Sequence, residues 1–229
     1  QPAASLLAPR VLIPFALVTL IWGSTWIVIT GQLGIVPPSW SVTYRFSVAA
    51  IAMFAFAVVR RERLWIDPKA LAFAALLGVA QFTFNFNFVY RAEQHITSGL
   101  VAVLFALLIV PNTLLGRLFL KTPLEGRFLA GAGIAIAGVA MMILHEYRAA
   151  ALGAGEVLLG TALTLAGVMC ASSANVMQGT RIARAQSMVV MIAWAMLFGA
   201  MADGAYAWIT TGPPVIEATP AYLAGVLYL

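Results

Sequence analysis

Charged side chains are scarce in this chain. Asp, Glu, Lys and Arg together make up 9% of its 229 residues, whereas 62% of the residues are hydrophobic. A soluble domain carries roughly 25% charged residues, so this chain has too few of them to cover a water-facing surface. Its mean hydropathy of +0.97 agrees. The composition excludes an ordinary soluble protein and indicates one that is solvated mainly by lipid.

Cysteine and histidine are nearly absent as well. The single cysteine, Cys170, cannot form an intramolecular disulfide, and its apolar surroundings predict that it packs as a small hydrophobic residue. The two histidines, His95 and His145, are isolated, and the sequence contains neither a CxxC nor an HExxH pattern. We therefore predict no metal site and no cofactor, and we assign no catalytic residue.

Long apolar runs are what the chain has instead. Each run is about as long as the 20 residues that a helix needs to cross a hydrocarbon core about 30 Å thick. The fold class predicted is therefore an all-α integral membrane protein, with His145–Gly155 as a loop. The predicted helices 1 to 7 are Val11–Thr30, Trp40–Val59, Ala70–Tyr90, Thr97–Phe119, Gly126–Leu144, Glu156–Gln178 and Ser187–Ile209. Residues Ala221–Leu229 are the first part of helix 8.

Lys and Arg fall almost entirely in every second gap between these helices. Ten of the 13 lie in one set of gaps, only Arg91 and Arg148 lie in the other set, and Arg45 falls inside helix 2. The positive-inside rule places the richer set, and with it the N-terminus, in the cytoplasm. These basic loops also explain the net charge of +5 and the pI near 9.8, so we expect no nucleic-acid partner.

The same charges indicate an internal repeat. Helices 1 to 5 (residues 10–148) form one unit, and a similar unit restarts over residues 156–229 with another long helix that carries small hydroxyl residues. Because five is odd, the second unit enters the membrane from the opposite side, which gives an inverted repeat of the kind common in secondary transporters. A complete second unit would need about 60 further residues after Leu229, so we expect the natural chain to be longer.

Three segments resemble the drug/metabolite transporter superfamily, in its EamA type. Trp22–Trp26 resembles the opening signature of that family, and Tyr44–Phe46 resembles its recurrent Arg-Phe pair. Pro111–Val139 resembles its proline, Leu-Phe-Leu-Gly-Glu and glycine-rich helix, although Lys121 and Thr122 replace the Gly-Glu pair. The resemblance covers helices 1 to 5 well and helices 6 to 8 loosely.

This resemblance implies a fold and a function. The fold implied has ten helices in two inverted five-helix repeats, around a central cavity lined mainly by helices 1, 3, 4, 6, 8 and 9. Within the family, the aromatic content of this chain is most similar to that of YddG-like amino-acid exporters.

Polar and aromatic side chains inside the predicted spans are the candidates for substrate binding. On helix 3, Gln81, Asn85 and Phe88 follow i, i+4, i+7 spacing and so share one face of an α-helix. The two amides could bind the ammonium or carboxylate of a zwitterion, while Phe84 and Phe88 contact its side chain. The alternative is that the amides only join neighbouring helices by hydrogen bonds.

The other candidates for substrate binding lie on helices 1 and 6. Trp22 and Trp26 form an i, i+4 pair in mid-span, which fits either core packing or stacking against a substrate. Thr25 lies between them, and Ser172 and Asn175 are the polar counterparts on helix 6.

Three further features receive structural or mechanical interpretations. Pro111 is predicted to kink helix 4, because proline lacks an amide hydrogen and clashes with the preceding turn, and such a kink suits a gating helix. Arg45 is expected to extend its charged head to the membrane interface. Gly131, Gly133 and Gly138 form a small-residue stripe on helix 5, which predicts close helix packing there.

Carboxylates are missing from the middle of the predicted spans. No Asp or Glu lies deep in helices 1 to 6, and the sequence places Asp203 near the outer part of helix 7. Proton-coupled carriers usually need a carboxylate near the midplane, so facilitated diffusion or export is favoured over proton antiport.

The sequence as a whole favours a secondary carrier of small organic solutes. We expect it to act as a monomer in the bacterial inner membrane, by alternating access, on aromatic or apolar amino acids or related metabolites. Two alternatives stay open. One is an integral-membrane enzyme, for which His95 with Glu93 is the only candidate pair, and the other is a channel or scaffold.

Overall fold

The protein is a bundle of membrane-length helices in its computed structural model, which describes residues 8–149 and 153–229. In those residues, seven helices are long and apolar enough to cross a membrane. This confirms the predicted all-α membrane fold. The seven are α1 Pro9–Thr30, α2 Pro38–Val59, α3 Pro68–Ala92, α4 Ser98–Leu120, α5 Gly126–Ala149, α6 Ala154–Gln178 and α7 Met188–Thr211, and α8 is Pro220–Tyr228.

The helix starts follow from local sequence. Proline occupies the first position of α1, α2, α3 and α8, where the N–H that it lacks would be unpaired in any case. Asp67 caps α3 by accepting hydrogen bonds from the amides of Lys69 and Ala70. One boundary was predicted wrongly, because His145–Ala149 continue α5 instead of forming a loop. Residues 150–152 of that predicted loop lie outside the described residues.

Contacts between loops define two ends of the bundle. At one end the Ser187 hydroxyl donates to the Glu62 carboxylate, which joins the loop after α2 to the start of α7. We call this the basic end, because the ten clustered Lys and Arg residues belong to it. At the opposite end, Trp40 Nε1 donates to the Gly212 carbonyl at 3.3 Å. Since α2 begins and α7 ends there, these two helices run antiparallel.

The tightest helix crossing joins α3 to α7. A Cβ added at Gly78 would lie 2.1 Å from the carbonyl oxygen of Ala195, so only glycine fits there. The Thr83 hydroxyl adds a hydrogen bond to the Gly199 carbonyl at 2.9 Å across the same crossing. Close packing was predicted for the glycines of α5 instead. That prediction is wrong for the described residues, because nothing lies within 4 Å of a Cβ built at Gly131, Gly133 or Gly138.

Two of the spanning helices depart from regular α-helix. In α3, residues Val79–Asn85 form a π-helix between α-helical stretches. In α4, the α-helix is interrupted between Ala106 and Ile109, one turn before Pro111. The interruption lies where the ring of Pro111 would clash with the carbonyl of the residue four positions earlier.

Candidate functional site

A cavity of about 280 Å³ lies between α1, α2, α3, α4, α6 and the end of α8. Six of the nine residues predicted to bind substrate line it, and they come from three different helices. These six are Trp22, Thr25, Trp26, Gln81, Asn85 and Asn175, and the remaining wall is Ile21, Ile29, Arg45, Phe86, Val89, Phe105, Leu108, Ala171, Tyr228 and Leu229.

The other three predicted residues lie outside this cavity. Phe84 is 52% exposed and stacks on Phe88, with 6.3 Å between ring centroids. Ser172 is completely buried, and its hydroxyl has no hydrogen-bond partner. The cavity wall next to it is formed by Ala171 instead.

The π-helix explains why α3 presents a different face from the predicted one. A π-helix places more residues in each turn than an α-helix, so the residues that follow it are shifted around the axis. Gln81 and Asn85 still line the cavity, but Val89 takes the place that α-helical spacing gives to Phe88. Short π segments inside α-helices are often found at functional sites.

The two amides of α3 that line the cavity carry unpaired acceptors. Gln81 Oε1 and Asn85 Oδ1 are buried, and neither has a hydrogen-bond partner. A buried polar atom without a hydrogen-bond partner lowers the free energy of unfolding, because water cannot replace the missing partner there. These oxygens make no hydrogen bond to a neighbouring helix, so their capacity to accept hydrogen bonds is unused within the described residues.

The polar groups of α1 and α6 are held by neighbours within the bundle. The Thr25 hydroxyl donates to the Ile21 carbonyl of its own helix at 2.8 Å. Asn175 Nδ2 donates to Asn112 Oδ1 at 3.4 Å, which joins α6 to α4. Trp26 contacts Phe105 with 5.0 Å between ring centroids, so an aromatic wall faces the amides.

The sequence suggested that the charged head of Arg45 reaches the membrane interface, but the structure holds it inside the bundle. Its side chain borders the cavity, and the residue is only 8% exposed. The guanidinium carbon lies 4.4 Å from the centroid of the Phe86 ring and 5.1 Å from that of Phe46. Cation–π contacts of this kind stabilise a cation among aromatic rings, so the head stays inside the bundle.

A second polar cluster joins α2, α3 and α7 beyond the cavity. Asp203 is completely buried, and its two carboxylate oxygens accept hydrogen bonds from Asn87 Nδ2 and from Thr43 Oγ1. Arg91 donates in turn to Asn87 Oδ1 at 2.7 Å and to Ser39 Oγ at 3.2 Å. Asp203 lies in the half of α7 farther from the basic end, where the sequence placed it, and the structure adds that its side chain is buried between the helices.

The pair suggested for an enzyme is not formed. His95 Nδ1 contacts the Glu156 carboxylate, and Glu93 accepts a hydrogen bond from the Thr30 hydroxyl at 2.7 Å. Burial raises the pKa of Glu93, which follows the end of α3, to about 7, although the Thr30 hydroxyl opposes the rise. Within residues 8–149 and 153–229, no group of three His, Cys, Asp or Glu side chains could hold a metal ion.

Sequence reasoning missed three polar residues around the cavity. Arg45 carried a signal, because an ionisable side chain inside a span is a functional candidate by default. The sequence gave no signal for Tyr228 or for Asn112. The Tyr228 hydroxyl shares a hydrogen bond of 2.6 Å with the Ser24 hydroxyl, and Asn112 accepts one from Asn175. Their roles depend on which helices are neighbours, and a single sequence does not reveal that.

Of three known proteins with similar sequences, two are described as transporters. PagO of Salmonella typhimurium is 30% identical over 132 residues, which cover 58% of this chain and 43% of that protein. The uncharacterized inner membrane transporter YedA of Escherichia coli K12 is 36% identical over 128 residues, or 54% of this chain and 40% of YedA. An uncharacterized transporter of Buchnera aphidicola is 21% identical over 130 residues. The matches span less than half the length of these relatives.

A family model covers the part of the chain that holds most of the cavity. The model is described as the EamA-like transporter family, and it matches residues 10–144, which include α1 to α4 and most of α5. This agrees with the resemblance of the segments Trp22–Trp26, Tyr44–Phe46 and Pro111–Val139. The chain is an integral membrane protein that belongs to the EamA-like transporter family.

Proposed function

We propose that this protein is a secondary carrier that moves small organic solutes across the bacterial inner membrane by alternating access. The observation that carries the proposal is the cavity, which is lined by aromatic side chains and by two amides whose buried oxygens have no hydrogen-bond partner. Its volume of about 280 Å³ suits a solute about the size of an amino acid, since pockets for drug-sized ligands start at about 300 Å³. The description of YedA as an inner membrane transporter supports the location.

The helices around the cavity support alternating access between two repeats. Helices α1, α3 and α4 come from the first predicted unit, whereas α6 and α8 come from the second. Carriers with inverted repeats bind their substrates at the interface between the repeats, near the middle of the membrane. Pro111 is proposed to let α4 bend during the change of access, since the helix is already interrupted one turn before it.

The chemistry of the wall favours aromatic or apolar amino acids as substrates. Gln81 Oε1 and Asn85 Oδ1 can each accept a hydrogen bond from an ammonium group. Trp22 and Trp26 offer apolar surface to a side chain. We propose export or facilitated diffusion instead of proton antiport, because the buried carboxylate of Asp203 is already hydrogen-bonded within the bundle. We also propose that the protein acts as a monomer.

Counterflow of labelled leucine and phenylalanine in proteoliposomes tests this function. We expect exchange with the wild-type protein and at least about tenfold slower exchange when Gln81 and Asn85 are both replaced by leucine, because each lost hydrogen bond to a charged group is worth about 1.5–3 kcal/mol. Gln186→Leu is the matched control, since it removes an amide at the basic end, outside the cavity.

Three results would count against parts of this proposal. Absence of exchange for every amino acid would remove the proposed substrates. Unchanged exchange in the double variant would remove the cavity as the route. Accumulation driven by a proton gradient would replace facilitated diffusion by proton coupling.

A further inference from the structure

Arg45 brings a buried positive charge to the cavity that nothing in the described part of the chain neutralises. Over residues 8–149 and 153–229, the ion pairs found are Arg60 with Glu62 and His95 with Glu156, and neither includes Arg45. Arg45 Nη1 is buried and has no hydrogen-bond partner. No other Lys or Arg lines this cavity.

The contacts that Arg45 does make hold it in place without compensating its charge. Its Nε donates to the carbonyl of Leu229 at 3.1 Å, and its guanidinium lies against the Phe86 and Phe46 rings. The neighbouring Tyr90 hydroxyl is also a hydrogen-bond partner of the guanidinium. It donates its proton to Gln32 Oε1 at 2.7 Å, so it is neutral and supplies no negative charge. The guanidinium is therefore positioned and still able to donate from Nη1.

A cation in this state calls for an anionic partner. Arginine within a membrane protein normally pairs with a carboxylate or faces water, because an isolated buried charge is costly. Its planar group matches a carboxylate well and can bind both oxygens at once. A singly charged carboxylate balances one guanidinium, whereas a doubly charged phosphate would leave a net negative charge buried in the bundle.

We propose that Arg45 binds the carboxylate of the transported solute. The unpaired oxygens of Gln81 and Asn85 then accept hydrogen bonds from an ammonium group on the same solute. The cavity would thus bind both charged groups of a zwitterion. This inference rests on the proposed carrier function and narrows its substrates to solutes that carry a free carboxylate.

Matched ligands with and without a carboxylate test this assignment. The purified protein is heated in detergent with L-phenylalanine, L-leucine, their primary amides or 3-phenylpropanoate, and the rise in Tm over the ligand-free protein gives the binding strength. We expect the amides to bind at least about tenfold more weakly than the acids, as the loss of one charge-assisted pair predicts.

Substitutions at Arg45 decide whether that preference comes from this side chain. In Arg45→Gln, acid and amide should bind equally, and in Arg45→Lys, which keeps the charge but not the planar group, part of the preference should remain. Arg60→Gln is the control, because it removes an exposed arginine at the basic end. Each variant is compared with its own ligand-free Tm, and the wild-type and Arg45→Lys data decide the question if Arg45→Gln does not fold.

Three results would overturn the inference. They are equal stabilisation of the wild-type protein by acids and amides, a preference that survives in Arg45→Gln, and no stabilisation by any of the five compounds. Failure of the carrier function is a separate result. Flux of the amides in proteoliposomes would uphold a carrier without this anion site, whereas carboxylate binding without flux of any solute would uphold the anion site alone.

Discussion

At the scale of single residues, Asp203 and Arg45 are both buried inside the bundle, but their hydrogen bonding differs. Asp203 has a hydrogen-bond donor on each carboxylate oxygen, and both donors belong to neighbouring helices. Arg45 keeps an unpaired Nη1 beside a cavity. A buried group whose hydrogen bonds are all made within the protein stabilises the fold, whereas one with a free bond is available to a ligand.

Asp203 is accordingly predicted to be a structural residue. Asp203→Leu should lower the free energy of unfolding by about 2 kcal/mol or more, because it removes both buried hydrogen bonds of the carboxylate. The Asn87 amide and the Thr43 hydroxyl would then keep only the Thr83 and Ser39 carbonyls as acceptors. Asp203→Asn keeps a similar shape and an acceptor, so its cost should be smaller. Thermal unfolding in detergent measures both, and equal stability of the leucine variant and the wild-type protein would contradict the prediction.

Glu93 is predicted to make stability depend on pH. Its pKa is raised from 4.5 to about 7 in the folded protein, so the unfolded chain loses this proton more easily. The stability it contributes is therefore fully present below about pH 4.5 and is lost as the pH rises to about 7. Tm should fall over this range in the wild-type protein.

The comparison of two glutamine variants isolates this effect. Glu93→Gln resembles the protonated form, so the fall in Tm should become clearly smaller in that variant. Glu125→Gln, which changes an exposed carboxylate in the loop between α4 and α5, should leave it unchanged. The same pH profile in all three proteins would show that Glu93 does not cause it.

At the scale of single helices, much was predictable from sequence because the signals are local. Apolar length, proline at the first helical position and a capping residue such as Asp67 lie within the segment they define. The π-helix Val79–Asn85 was not predictable, since it accompanies a crossing with α7 that is distant in sequence. The π-helix leaves Gln81 and Asn85 on the cavity wall, whereas Val89 lines the cavity at the place where α-helical spacing predicts Phe88.

The crossing of α3 with α7 is predicted to tolerate no side chain at Gly78. Gly78→Ala should destabilise the protein by about 1–3 kcal/mol or more, because its Cβ would meet the Ala195 carbonyl at 2.1 Å and backbone must shift. Gly131→Ala on α5 is the matched control. It has open space and should stabilise its helix by up to about 1 kcal/mol. If both variants unfold at the same temperature, the crossing is not as close as described.

At the scale of the whole molecule, the charge pattern and the packing point to the same symmetry. Helices α2 and α7 hold equivalent places in the two predicted units, and they lie antiparallel against each other. Trp40 at the start of α2 bonds to Gly212 after α7, while Trp194 near the start of α7 donates to the Leu64 carbonyl after α2, at 2.9 Å. Antiparallel packing of equivalent helices is what a two-fold axis within the membrane plane requires. Because the second and seventh of consecutive spans run antiparallel in any such bundle, the inverted repeat stays a prediction.

The direction of the chain through the membrane is the last prediction. The positive-inside rule places the basic end in the cytoplasm, with Arg184 there and Arg148 on the other side. Cys170 is first replaced by alanine, and Arg148→Cys and Arg184→Cys are then made separately in that background. In intact cells, a membrane-impermeant maleimide should label the cysteine at position 148, whereas the one at position 184 should react only after the membrane is opened. Labelling of both from outside would refute the inverted arrangement. The reverse pattern would keep the arrangement and overturn its predicted direction, because α6 would still separate the two positions.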